Sequence, residues 1–572
     1  MQLLLSNRYT PSIGLHTFTP PLCTFARAID YDKRLVIRGG ETHTPKYFIL
    51  MKHLTTQLAL LALILTSLTA CQRECGSDTP QTLSEEYYSG GKLGTTFNNT
   101  ASCFEQPTEA IALAGLDANF KQGERRFETA HAAGDVPGLT FTGLGPLYHR
   151  TSCEACHPGY GHGKRITRYN SEQMGNGCLI IVTDKEGNMA SSLGLVPMTA
   201  ALPPFKPMID EKKMTIDWRS YTDEWGNKFD DGETYDLIYP EVHLPAEALY
   251  SPLEVNGKPY PIDQAVVTLE STIGIYGTGL LDAISDEDIR QQYIKEAPHT
   301  PLNPAIWAGN DFAPTGVDAA GHPMRFDYAC DFTKLSANVS LWEVTNIITP
   351  MFRKFYIPEA YARTASKDPD VQAQFYKYFP ERKKTGNVEQ DIYDFFTATD
   401  LPVEMDAQAC YDLMVWIRGL AVPAARDIDA PDVQRGKQLF TEIGCATCHR
   451  PSWTTGDDVV VDVYNLTEGG KKAMPRYPKQ KIWPYTDMIQ HKLHMQNDIR
   501  TGWCRTTPLW GRGLSQKASG HQDRLHDCRA RNVIEAIMWH GAKNSDARFS
   551  VEKFRKLDRK DREAVVKFIN AV

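Results

Sequence analysis

Two stretches of the chain carry a helical hydrophobic period. Over 431–443, Val433, Gly436 and Phe440 fall on one face, Pro431 suits the first helical position and Gly444 ends the run. At the C-terminus Val565, Phe568, Ile569 and Val572 repeat at i, i+3, i+4 and i+7 behind the capping residue Asp558. A third helix is predicted over 407–420, ahead of Pro423. A small residue at a helix crossing lets an aromatic ring approach, so Gly436 and Phe440 are placed to meet Phe568. The spacing Gly-x-x-x-Phe returns at Gly123 and Phe127, which reads as an imperfect internal duplication. Met538 shares an apolar helix face with Val533, Ile534 and Ile537. In between, 178–183 is β-prone and Asp230-Asp231-Gly232 is a turn.

The N-terminal part lacks such periods. Residues 1–50 are rich in Pro, Thr and Arg and read as a non-translated or disordered extension, with translation starting at Met51. Met51-Lys52-His53 is then a short basic start, 58–65 an apolar run, and Leu68-Thr69-Ala70-Cys71 a lipobox. This predicts a lipoprotein signal peptide over 51–70, with lipidation at Cys71. The apolar run is too short for a permanent membrane span. Residues 71–105 are expected to be a flexible tether. The expected location is the cell envelope, as a periplasm-facing lipoprotein held to a membrane by its lipid anchor.

From Cys71 on, the chain is too long for a single core. A formal net charge of −8 with mixed signs speaks against nucleic acid as a partner. Thirteen cysteines are present. Apart from Cys23 and Cys71, seven stand outside any motif: Cys75, Cys103, Cys178, Cys330, Cys410, Cys504 and Cys528. In an oxidising compartment some would pair, Cys504 with Cys528 first, since both lie in one predicted domain.

The other four cysteines carry the chemistry. Cys153-Glu154-Ala155-Cys156-His157 and Cys445-Ala446-Thr447-Cys448-His449 are both Cys-x-x-Cys-His. At this spacing two thiols reach the vinyl groups of one porphyrin, and the adjacent histidine supplies the proximal nitrogen. Zinc would need two more cysteines or histidines nearby, and neither copy has them. Two covalently bound c-type haems are therefore expected, on Cys153 and Cys156 with His157, and on Cys445 and Cys448 with His449. The fold class follows: mainly α, two cytochrome c-like domains with long loops, over 106–425 and 430–572, with a large insertion in the first.

An electron-transfer haem usually has a second strong ligand, whereas a catalytic one keeps that face open. For the second haem the candidates are Met474, Met488, His491, His494, Met495 and Met538. The cluster Met488, His491 and Met495 is preferred, and Met538 suits core packing better. For the first haem no Met or His is equally well placed. His162 is too near His157 in sequence and suits the surface. Glu128 is a candidate acid–base group, with a surface role as its alternative.

Residues from about 120 to the end resemble the bacterial di-haem oxidoreductases, also called thiol oxidoreductases or di-haem peroxidases. Tyr485-Thr486-Asp487 with His491, Arg505-Thr506-Thr507-Pro508-Leu509-Trp510-Gly511, Leu525-His526-Asp527-Cys528-Arg529-Ala530-Arg531 and Ile537-Met538-Trp539-His540-Gly541 carry the resemblance. Phe127-Glu128-Thr129 and Gly143-Leu144-Gly145-Pro146-Leu147 extend it upstream. Two positions depart from the family: His491-Lys492-Leu493-His494 stands for His-Asp-Met-Gly, and Cys528 for Gly. The first departure leaves the distal ligand open; the second creates the potential Cys504–Cys528 pair. The family is similar to bacterial cytochrome c peroxidases. It implies a C-terminal haem relaying electrons, from a redox partner protein or quinol-linked donor, to an N-terminal haem that meets a small oxidant such as peroxide. The alternative is a pure electron-transfer cytochrome with no substrate chemistry.

Overall fold

Two helix crossings organise the molecule, and each is built around a glycine. The computed structural model describes residues 83–132, 144–170, 177–194, 196–338, 356–401, 403 and 405–572. The extension 1–50, the signal peptide 51–70 and Cys71 lie outside the described residues, as does Gly143. In chain order the main elements are helix α1 (Asp117–Glu128), strands β1 (Cys178–Thr183), β2 (Thr215–Tyr221), β3 (Leu237–His243) and β4 (Val266–Ser271), and helix α2 (Asp286–Glu296). Then come helices α3 (Glu359–Lys367), α4 (Pro369–Tyr378), α5 (Val388–Thr397), α6 (Ala407–Arg418) and α7 (Pro431–Glu442). Short strands β5 (Gln490–Lys492) and β6 (Trp503–Arg505) precede helices α8 (Val533–Trp539) and α9 (Arg559–Ala571). Helix outweighs strand among the described residues.

Helix α7 opens on Pro431 and is followed by Gly444 at φ 100°, a conformation that suits glycine. Helix α9 is capped by Asp558, whose carboxylate accepts from Asp561 N at 2.8 Å. The two cross at Gly436, where any Cβ would run into the Ala564 carbonyl and the Phe568 side chain. The bare backbone lets Phe440 and Phe568 meet with ring centroids 5.2 Å apart at 64°. Such a pair contributes about 0.5–1.5 kcal/mol beyond its buried area.

The same arrangement recurs between α1 and α6. A Cβ at Gly123 would run into the Asp412 carbonyl and the Trp416 side chain, and Phe127 lies 4.3 Å from Trp416. In both crossings the partner contacts are four residues apart, Asp412 with Trp416 and Ala564 with Phe568. The duplication legible at Gly123 and Phe127 thus finds its second helix almost three hundred residues later. Every residue of α6 from Ala409 to Arg418 is buried, the mark of a helix enclosed on all sides.

Between these helices the intervening residues build their own layer. Strands β1 and β4 pair antiparallel, Cys178 opposite Ser271 and Ile180 opposite Leu269. Strands β2 and β3 also pair antiparallel, and the predicted turn at 230–232 lies between them, Gly232 at φ 93°. Around Phe205, the rings of Phe375, Phe379, Phe395 and Phe396 from the α4–α5 region close an apolar cluster that also holds Cys178 and Cys528.

From Leu83 on, the segment expected to be a tether lies on the protein. Cys103 and Phe104 are buried, Phe104 stacks on Tyr276 at 3.9 Å, and Lys437 pairs with Glu86. Residues 83–572 form one compact unit.

Candidate functional site

Each Cys-x-x-Cys-His motif lines its own cavity. The first is walled by Cys153, Cys156 and His157, by Leu179 and Ile181 of β1, and by Glu270 to Ile273 at the end of β4 and just beyond it. Thr272 Oγ1 donates to the Cys156 carbonyl at 2.7 Å, which fixes the motif to that strand end. His157 Nδ1 lies 3.1 Å from the Ile273 carbonyl. A carbonyl only accepts, so Nδ1 carries the proton and Nε2 keeps its lone pair. Burial pulls the His157 pKa down to about 4, so the ring is neutral.

The second cavity is lined by Cys445, Cys448 and His449. His449 Nδ1 lies 2.9 Å from the Tyr485 carbonyl, and burial lowers its pKa too. Phe127 and Phe440, the aromatics of the two crossings, lie 6.0 and 6.2 Å from the rings of His157 and His449. The two sites therefore share one plan: a glycine-based crossing, an aromatic, two thiols, and a histidine oriented by a backbone carbonyl.

Of the residues considered as second ligands, His491 lines the second cavity, but its Nε2 lies 2.8 Å from Asp487. Burial would lower the His491 pKa, yet the Asp487 carboxylate raises it well above the usual value. While Asp487 keeps the ring protonated at both nitrogens, neither has a lone pair to offer iron. Met488 accepts from Arg505 Nη1 at 3.5 Å, inside the core that packs around α6. Met495 sits in the core of α7 and α9. Neither methionine lines the cavity; Leu493 does. Met474 and Met538 are core residues and His494 is exposed.

Sequence reasoning passed over His540, which lines the second cavity. Its Nδ1 is 2.6 Å from the Ala536 carbonyl and burial brings its pKa to about 4, so its state matches that of His157 and His449. Its placement just after Met538 at the end of α8 was the available signal. In the first cavity His149 is buried, with Nδ1 3.2 Å from the Pro197 carbonyl and Nε2 3.1 Å from the Tyr169 hydroxyl.

Glu270 and Arg500 also line the first cavity. Arg500 Nε donates to Glu270 at 2.8 Å and Nη2 at 3.1 Å, while Nη1 donates to Asp331 at 2.7 Å. Burial raises the Glu270 pKa, and Arg500 offsets part of that rise. Nothing in the local sequence of either residue marks it. Glu128, by contrast, is exposed, accepts from the Tyr160 hydroxyl and does not line the cavity. His162 is buried, not at the surface: it sits between the Gly163 and Leu525 carbonyls.

Tyr328 lines both cavities. Its carbonyl accepts from Arg505 N at 2.8 Å and from Gln490 Nε2 at 3.1 Å, so β5 and β6 hold it in place. The Cys504–Cys528 pair is not formed: Cys504 stands beside His526, and the Cys528 thiol donates to the Gly163 carbonyl at 3.0 Å.

Residues 375–572, from within α4 to the C-terminus, match the model of a family described as "Di-haem oxidoreductase, putative peroxidase". This region is a di-haem oxidoreductase match. Over those residues it bears out the resemblance read from the sequence; the two haems stand in the family's description. The match contains the second motif, α7, α8 and α9; the first motif lies upstream of it. No curated protein matches the chain. Among the described residues no helix is long and apolar enough to cross a membrane.

Proposed function

We propose that the chain is an exported, lipid-anchored di-haem c-type oxidoreductase that passes electrons from the second site to the first, where peroxide is reduced. One observation carries this reading: two separate cavities each bring together the two thiols and the carbonyl-oriented histidine that a thioether-linked haem requires. The fit favours haem attachment at Cys153 and Cys156, and at Cys445 and Cys448, with His157 and His449 as proximal ligands. Bound there, the haems would supply one-electron and peroxide chemistry.

The two sites differ in their second ligand. His540 is the sixth ligand we assign to the second iron, a neutral imidazole in the same cavity as His449. In the first cavity the nitrogens of His149 are engaged by Pro197 and Tyr169, which favours an open face. Peroxide cleavage moves a proton from one oxygen to the other. Glu270 is the buried carboxyl suited to hold that proton at Oε1 or Oε2, and Arg500 orients it. Tyr328, shared by both cavities, is the side chain along which the two sites communicate. A redox partner protein or a quinol-linked donor would deliver electrons, and the lipid on Cys71 would keep the protein at the periplasmic face of a membrane.

Absorption and EPR spectra of the purified holo-protein test the enzyme reading. One low-spin and one high-spin ferric haem are expected, the high-spin signal shifting when peroxide is added. Two low-spin haems indifferent to peroxide would instead favour a pure electron carrier.

A further inference from the structure

The seam between the two cavities holds a pair of buried thiols that come from opposite ends of the chain. Cys178 opens β1 and Cys528 lies in the loop before α8; both have 0% exposure. Their thiols donate to successive carbonyls, Cys178 Sγ to Lys164 O at 3.4 Å and Cys528 Sγ to Gly163 O at 3.0 Å. Cys178 and Ser271 both stand beside Cys528, and Ser271 is the cross-strand partner of Cys178. The backbone is fastened at the same place, Ser271 N donating to the His526 carbonyl at 2.6 Å. Two thiols that face one another in a sealed apolar cluster are placed to be joined.

We infer that Cys178 and Cys528 are a disulfide pair that staples the wall of the first cavity to the wall of the second. Leu179 and Ile181, next to Cys178, line the first cavity, and His526, two residues before Cys528, lines the second. The bond forms by exchange with a disulfide-bearing oxidant of the cell envelope, before the C-terminal loop seats. One thiolate attacks the oxidant's S–S bond and releases one oxidant thiol; the other thiolate attacks the mixed disulfide and releases the second. Two electrons and two protons pass to the oxidant, which leaves as a dithiol. Only the oxidant depends on the exported location proposed above.

Mass spectrometry of alkylated but unreduced peptides from the purified holo-protein tests the pairing. Two preparations are mapped side by side: one with the chain's own N-terminus, one carrying a secretory signal of known export. A peptide joining Cys178 to Cys528, two hydrogens lighter than its reduced parts, is expected in both. A link present only in the second preparation supports the pairing and counts against export by the native leader. Alkylated Cys178 and Cys528 in both, or a Cys504–Cys528 link, overturns the pairing. Cys504→Ser should leave the link intact, and Cys178→Ser should leave Cys528 open to alkylation after unfolding. If Cys178→Ser does not fold, the maps of the unmodified chain still decide.

Discussion

His540 and the Met488, His491 and Met495 cluster compete for one role, and single substitutions separate them. If His540 ligates the second iron, His540→Gly turns that haem from low-spin to high-spin while Met488→Leu and Met495→Leu leave the spectrum unchanged. An unaltered EPR spectrum for His540→Gly would remove it from the iron. Replacing Glu270 by Gln keeps the cavity shape and removes the proton carrier. Peroxide turnover should fall by about 10²–10⁴-fold with haem content preserved, read by steady-state kinetics with a chemical donor. His491 gives the pH-dependent case. Burial opposes its charge, yet Asp487 raises its folded pKa above the ordinary 6.5. The pair's contribution is therefore full below pH 6.5 and is lost as pH rises through the raised value. The gap in melting temperature between the native chain and His491→Gln should narrow as pH is raised from 6 towards alkaline values, measured by thermal unfolding at each pH.

At the scale of elements, the two crossings have the same physical demand. Each glycine lets one helix rest on the backbone of the other, so a side chain there can be accommodated only by separating the helices. Gly436→Val and Gly123→Val should each cost about 1–3 kcal/mol or more, the range for overpacking a tight core. Denaturant titration of the two variants reads this directly; a cost near zero at Gly123 would sink the equivalence of the crossings. The crossing of α7 and α9 was legible because its helices carry clear periods and a short spacing to the second motif. That of α1 and α6 was half legible. Gly123 and Phe127 announced one helix, but α6 is buried all round, and a helix without a polar face gives no period to point at its partner.

At the scale of the whole molecule, the residues between the two crossings and the C-terminal part are joined through polar contacts. Arg500 reaches Glu270 and Asp331, His162 lies under Leu525, and Arg505 holds the Tyr328 carbonyl. Residues 83–572 should accordingly unfold in one cooperative transition by calorimetry, and two well-separated endotherms would count against it. The two Cys-x-x-Cys-His motifs and the glycine–aromatic faces beside them are patterns of neighbouring residues, so the sequence alone determined them. What surrounds each motif was decided only in three dimensions. His540, Glu270 with Arg500, Tyr328, and the meeting of Cys178 with Cys528 all join residues far apart in the chain, and no local spacing records such contacts. The fold also supplies what the sites share beyond their motifs, the second helix of each crossing and the carbonyl that orients each histidine.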